Sequence, residues 1–456
     1  MGKANIIRIL NETRVYPSSG CVDEATIPLT FFDAIWIHGQ LVERIFFYPL
    51  PQHYSTTDHF INSIVPSLTS SLSLTLHHFY PLAGKLIRLS PNSNDFAIHY
   101  KHGDSVPFTI AESLADFQAL SSYHPHPFND VYTLVPILDK FSEDSKPLLS
   151  LQVTFFPKNS GITIGIALNH IAGDGPSFMH FFKSWALSCS SSGAVPLLQP
   201  PPLFDNSLVN DPRGCYSIFL QDSLSPSADH KQHPVSSAPA ISDSPVCATF
   251  SLGSDHIQML KNNFYKKSKQ NKTPSSFAVT CAYAWVCFVK AQGYSTQQRA
   301  NFCFTVDCRE RLKPLLPANF FGNCIGPGFV EEDVEKLIGE DGVLVACDAI
   351  VTTIEECRHD VLRDVEGWMR KFGAWVANGR LLTVAGSPKF GVYGIDFGWG
   401  KPCKVEVVSI AKTGAMSLAE RKDEQGGIEL GFVMPKAIMD EFSSLFSKGL
   451  EVLISS

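Results

Sequence analysis

Apolar residues alternate with small ones in GITIGIAL, placing Ile162, Ile164, Ile166 and Leu168 on one side of the chain. That period of two predicts a strand over 161–168, and SLQVTFF at 150–156 reads the same way. Lys158, Asn159 and Ser160 form a plausible hairpin turn between them. The period changes to a helical one over Asp58 to Phe79, where Ile61, Ile64, Val65, Leu68 and Leu72 share a face until Pro81 and Gly84 break the pattern in YPLAGKL. Phe178, Phe181, Phe182 and Trp185 form a second stripe, on a helix expected to start near Asp174 with Pro176 in its first turn. Further along, 275–291 reads as a buried helix and 301–309 as a strand. The segments 405–410 and 428–434 read as two more strands joined through a charged loop. Strands and helices alternate throughout, which predicts a mixed α/β architecture.

The segment 223–245 interrupts this patterning. It holds seven Ser and four Pro and almost nothing apolar. Such a composition supports no packed element, so it is expected to be a crossover linker between an N-terminal domain, 1–222, and a C-terminal domain, 246–456. Length agrees, since 456 residues allow two or three domains at roughly 150 residues each. With 44% hydrophobic and 18% charged residues the chain has the balance of a protein with a large core. Its net charge of −7 disfavours nucleic acid or anionic lipid as partner. The twelve cysteines are scattered and without CxxC spacing, which points to free thiols in a reducing compartment. No stretch approaches the roughly 18 apolar residues of a membrane span, and the opening residues show no apolar h-region before a cleavage site, so no signal peptide is expected. The expectation is a cytoplasmic protein, without membrane attachment, acting as a monomer.

Candidate chemistry sits where the 161–168 strand ends. His170 leaves the strand, small residues follow, and Asp174 closes a tight loop at the start of the next helix. An imidazole on such a rigid mouth suits general base catalysis. The spacing equally suits a surface-loop histidine with Asp174 as helix N-cap. A metal site lacks further ligands, and no phosphate-binding loop, GxSxG elbow or clean GxGxxG is present. A second unusual stretch, GSPKFGVYGIDFGWGKP at 386–402, reads as a stiff irregular loop rather than a helix or strand. It fits a structural turn whose Asp396 pairs with a nearby arginine.

These two stretches occur together and in order, as His170-Ile-Ala-Gly-Asp174 and as DFGWG at 396–400. The chain thereby resembles the plant BAHD acyltransferases, which transfer acyl groups from coenzyme A. LTFFDAIWI (29–37), YPLAGKL (80–86), TCAYAWVC (280–287) and DCR (307–309) also look like family blocks. FFGNC (320–324) is similar to the YFGNC signature of members that acylate anthocyanins and other phenolic glycosides, with Phe320 in place of its Tyr. The resemblance implies two chloramphenicol-acetyltransferase-like domains with an active-site channel between them. It implies His170 as general base, no acyl-enzyme, and Asp174 orienting the loop through an arginine. Asp396 is expected to be structural and to pair with Arg309. No cofactor is expected to be bound permanently, and acyl-CoA is the co-substrate. Lys261, Ser275, Ser276, Ser387 and Lys389 are the expected contacts to CoA.

The acceptor implied is a sugar hydroxyl of an anthocyanin or other flavonoid glucoside. For the donor, members that take malonyl-CoA commonly place an Arg shortly after HxxxD, whereas here Gly175 to Trp185 contains only Lys183. Phe178, Phe181 and Phe182 are either an apolar acyl pocket or ordinary helix core. The reading leans to a hydroxycinnamoyl donor, coumaroyl or caffeoyl, with malonyl-CoA as the alternative. A thioester or ester hydrolase and a non-catalytic ligand-binding protein are the rival classes.

Overall fold

The structure, a computed structural model, describes all residues except 1–6, 19–22, 39–40, 52–55, 91–94, 139–144, 159, 196, 225–244, 268–272 and 456. Most of the expected linker therefore lies outside the described residues. Ser223 ends within the helix Cys215–Leu224, and the Pro245 carbonyl accepts from the Phe128 amide.

Among the described residues the strands form three sheets. The first has six strands in the order Ile7–Val15, Val106–Ser113, Leu149–Phe156, Gly161–Asn169, Leu41–Pro49, Lys404–Val407. Leu149–Phe156 and Gly161–Asn169 pair antiparallel, as a hairpin turn between them predicts, and both are buried on both faces. The second sheet runs Ile325–Asp333, Arg299–Asp307, Leu381–Gly386, Met416–Glu420, Ile428–Met434, Val246–Leu252, His126–Pro127. A smaller sheet of four strands, Ala25–Pro28, Phe96–Tyr100, Lys85–Arg88 and Ser145–Pro147, flanks the first.

The helix expected over Asp58–Phe79 is present as Thr57–His59, a π-helical turn Phe60–Ile64, and Val65–His78. Pro66 lacks the amide that would continue the α ladder, and the wider turn just before it absorbs that loss. Ser276–Gln292 is apolar nearly all round and forms the centre of the second core. One expectation fails. The segments 405–410 and 428–434 are not neighbours joined by a charged loop. Lys404–Val407 crosses to the first sheet and pairs with Leu41–Pro49, while the charged turn joins Met416–Glu420 to Ile428–Met434. Alternation specifies which face a strand buries, not which strand it pairs with.

This crossing ties the two halves of the sequence together near the site. The first core takes Phe320, Phe321, Tyr393, Ile395 and Phe397 from the later half. DFGWG supplies the wedge. Phe397 lies edge-on to Trp185 (5.0 Å), Phe182 (5.4 Å) and Tyr48 (5.9 Å), and Trp399 stacks on it. The helix Gly175–Ser190 is thus clamped between the first sheet and the wedge. Replacing Phe397 by Ala opens a cavity behind that helix. Chemical denaturation of the variant should show a loss of about 3–5 kcal/mol.

Candidate active site

The Gly161–Asn169 strand stops because the Asn169 side chain accepts from the Ile171 amide (3.2 Å) and caps a 3-10 turn, His170–Ala172. Gly173 follows at φ +153°, where a side chain would press on Ser177. Asp174 then caps the helix Gly175–Ser190 by accepting from the Ser177 amide (3.1 Å). Asp174 is therefore a helix cap as well as the acid of the HxxxD spacing.

Its carboxylate faces away from the imidazole, into a buried pairing with Arg309. Arg309 Nη1 donates to Asp174 Oδ2 at 2.8 Å and Nη2 donates to Oδ1 at 3.0 Å, with both residues at most 3% exposed. The guanidinium also donates to the carbonyls of Phe320 (3.3 Å) and Gly322 (3.1 Å) and to Asp307 (3.2 Å). Burial alone would lower the Arg309 pKa, but the Asp174 charge and its hydrogen bonds outweigh that and raise it. The Cys324 amide gives Asp174 a further donor at 3.0 Å, and the Gly322 amide donates to Ser177 Oγ at 3.1 Å. The FFGNC loop is thereby fastened to the HxxxD loop.

The expected pairing of Asp396 with Arg309 is not present. Asp396 is exposed, and its Oδ1 accepts from the amides of Gly398 (2.7 Å) and Gly400 (2.9 Å). The aspartate of DFGWG closes its own turn, whose two glycines have φ of +108° and +113°. Arg309 is already saturated by Asp174 and the FFGNC carbonyls, so it has no remaining geometry for a second buried carboxylate. The reading of that loop as a structural turn holds, with a different partner.

The imidazole is positioned by a relay through Asn323 and Asp33. Asn323 is fully buried, and its Nδ2 donates to Asp33 Oδ1 and to the His170 carbonyl, both at 2.9 Å. With the amide nitrogen facing two acceptors, Oδ1 is the atom turned toward His170 Nδ1, at 3.1 Å. Nδ1 therefore carries the hydrogen, and Nε2 keeps a free lone pair. Asp33 is fixed in turn by the Thr30 amide (2.8 Å) and hydroxyl (2.7 Å), a capping box at the start of Phe31–Ala34. Burial pushes the Asp33 carboxyl up, while the Thr30 and Asn323 donors oppose that.

Trp36 stacks on the imidazole with ring centroids 3.6 Å apart and planes 9° from parallel. Its π face fixes the ring plane and favours the imidazolium that forms when Nε2 takes a proton. At rest, burial lowers the His170 pKa below its ordinary 6.5, and Arg44 adds to that; its own carbonyl, Asp174 and Asn323 oppose it in part. A half-buried, neutral imidazole with an available Nε2 is a general base ready at neutral pH.

The five expected CoA contacts lie on three segments of the chain. Ser275 caps the helix Ser276–Gln292 by accepting from the Ala278 amide (3.1 Å), with Ser276 beside it. Lys261 lies partly exposed on Ser254–Lys267. Ser387 Oγ accepts from the amide of the exposed Lys389 (3.2 Å), which shapes the turn after Leu381–Gly386. Trp36, Asp33 and Asn323 were absent from the sequence-derived site. All three nevertheless lie in the quoted blocks LTFFDAIWI and FFGNC, where a buried-capable Asp and Asn beside aromatics were the available signal.

Arg309→Ala and Asp174→Ala each strand a buried charge and should cost about 3–5 kcal/mol in thermal or urea melts. Asp396→Ala removes exposed turn bonds only, so its melt should stay close to the parent. Asn323→Leu keeps the branched shape but releases the tautomer, and kcat/KM should fall without a matching rise in KM. Because the neutral imidazole is the active form, kcat/KM in the parent should rise with pH and level off, its acid limb lying below pH 6.5. A limb above 6.5 in a pH–rate profile would contradict the burial argument.

The family model "Transferase family" matches residues 6–448. The chain is 35% identical to coumaroyl-CoA:anthocyanidin 3-O-glucoside-6''-O-coumaroyltransferase 1 of Arabidopsis thaliana, over 97% of each chain. It is equally 35% identical to phenolic glucoside malonyltransferase 1 of Arabidopsis thaliana, over 98% of each. Vinorine synthase superposes with a TM-score of 0.70 at 20% identity, covering 96% of both chains, which supports the same fold. The chain therefore belongs to the BAHD acyltransferases of the Transferase family, enzymes that use acyl-CoA as co-substrate.

Proposed function

We propose that this enzyme transfers an acyl group from acyl-CoA to a sugar hydroxyl of an anthocyanin or other phenolic glucoside. The observation that carries the reading is the His170 imidazole, held as the Nδ1–H tautomer with Nε2 free. Nε2 takes the hydroxyl proton as the acceptor oxygen attacks the thioester carbonyl carbon. The tetrahedral intermediate collapses with cleavage of the C–S bond, and the imidazolium returns the proton to the departing CoA thiolate. No acyl-enzyme is required. Asp174 and Arg309 take no part in the proton transfer and hold the loop that carries His170. Similarity to glucoside acyltransferases over nearly the full chain supports the acceptor class.

Ser275 and Ser276 fit a CoA phosphate best among the expected contacts. They open a long helix whose first amides and positive dipole end favour an anion. Lys261, Ser387 and Lys389 are kept as secondary contacts. The donor needs separate evidence, because relatives of both donor types are equally similar. The lean toward a hydroxycinnamoyl donor rested partly on three phenylalanines. Phe181 and Phe182 are fully buried and Phe178 is 4% exposed, packed against Phe46, Phe79 and Trp185, so they are helix core.

The direct test offers an anthocyanin 3-glucoside with equimolar malonyl-, acetyl-, coumaroyl- and caffeoyl-CoA and reads the acylated product by mass. His170→Ala should lose about 10²–10⁴-fold in turnover while its melt is retained. Turnover near that of the parent would remove His170 from the chemistry. Free acid as the main product would favour a hydrolase.

A further inference from the structure

Glu429 lies on Ile428–Met434 in the second sheet and is 3% exposed. A carboxylate at that depth needs donors for both oxygens. Both come from phenols: Tyr123 donates to Oε1, and Tyr393 donates to Oε2 at 2.5 Å. The two phenols arrive from different parts of the chain. Tyr123 follows the helix Phe117–Leu120, where its carbonyl accepts from the Thr249 amide (3.1 Å) and the buried Lys404 lies 4.2 Å from its ring centroid. Tyr393 lies in the 3-10 turn Val392–Gly394 of the 386–402 loop and is 6% exposed. Burial and the adjacent Glu429 raise the pKa of both phenols, so each keeps the proton it donates.

Tyr393 is held at both ends. Besides the hydroxyl bond to Glu429, its amide donates to Glu420 Oε1 at 2.9 Å, on the neighbouring strand Met416–Glu420. The loop is thus fastened to two adjacent strands of the second sheet. Its other contacts run to the first half of the chain. Phe390 lies so close to Gly175 that a Cβ there would sit 2.3 Å from its ring. Phe397 packs on Phe182 and Trp185 of the helix that Gly175 begins, directly after Asp174. Play at Tyr393 therefore passes through Phe390 to the helix start, and from there to the turn that carries His170. Displacements on the order of 1 Å at a reacting group are enough to depress turnover.

We infer that Tyr393 and Glu429 are positioning residues for the acyl transfer: their bond sets how closely the 386–402 loop closes on Gly175, and so fixes where His170 stands. The inference rests on the acyl-transfer reading and deepens it. Tyrosine suits the position because its ring packs in the first core while its hydroxyl reaches a carboxylate of the second sheet. Phenylalanine would keep the packing and lose the tether.

The test compares Tyr393→Phe with Tyr123→Phe, since each removes one phenol hydroxyl from the same carboxylate while Tyr123 lies outside the loop. With an anthocyanin 3-glucoside and the acyl-CoA that the parent prefers, kcat should fall about 10-fold or more in Tyr393→Phe with both KM values held. In Tyr123→Phe it should stay within about two-fold of the parent. Equal losses in the two variants would mark a purely structural role and overturn the assignment, as would an unchanged kcat or a loss carried by KM alone. In a Phe390→Leu background Tyr393→Phe should cost little more, whereas full additivity would overturn the assignment. Should Tyr393→Phe not fold, the double variant Tyr393→Phe/Glu429→Met removes the stranded carboxylate as well, and an unchanged kcat there would overturn it too. Hydrogen–deuterium exchange over 170–178 gives a readout without turnover. It should quicken in Tyr393→Phe and not in Tyr123→Phe, and equal exchange would overturn the assignment. Absence of product with every donor would count against the acyl-transfer reading itself, while the exchange comparison would still decide the role of Tyr393.

Discussion

A guanidinium and a carboxylate, both sealed from water, fix the geometry on which everything else at the site depends. Arg309 comes from the end of a strand in the second sheet, and Asp174 from the helix cap beside the first. Two parallel hydrogen bonds join them, and the remaining donors of Arg309 gather the Phe320 and Gly322 carbonyls. Desolvation makes such a pair costly to assemble and costlier to break, so its value lies in holding one arrangement rather than in raising stability. Because the FFGNC loop is pinned through the same guanidinium, Asn323 arrives at the imidazole in a single orientation.

From that anchor the chemistry follows in short steps. Asp33 orders Asn323, Asn323 orders the His170 tautomer, and Trp36 fixes the ring plane. Burial keeps the imidazole neutral until a substrate proton reaches it. The HxxxD aspartate and the base thus answer to different partners. Asp174 holds the loop, whereas the group acting on Nδ1 is an amide supplied from the other half of the chain.

Much of this was legible along the sequence. The alternation at 161–168 and the small residues before Asp174 located the strand, the loop and the helix around His170. The family resemblance singled out Arg309 as the arginine that matters but paired it with Asp396, because both Asp174 and Asp396 are expected to meet an arginine and one-dimensional spacing does not say which. What separates them is depth: Asp174 is sealed beneath FFGNC, whereas Asp396 stays in solvent and binds its own glycine amides.

The central claim is that His170 is a neutral base with its proton on Nδ1. Nitrogen-15 NMR of the histidine-labelled enzyme measures this directly, with His170→Gln identifying the resonances. The account predicts a protonated Nδ1, an Nε2 with the shift of an unprotonated nitrogen, and titration below pH 6.5. A proton on Nε2 at neutral pH, or titration above 6.5, would contradict it.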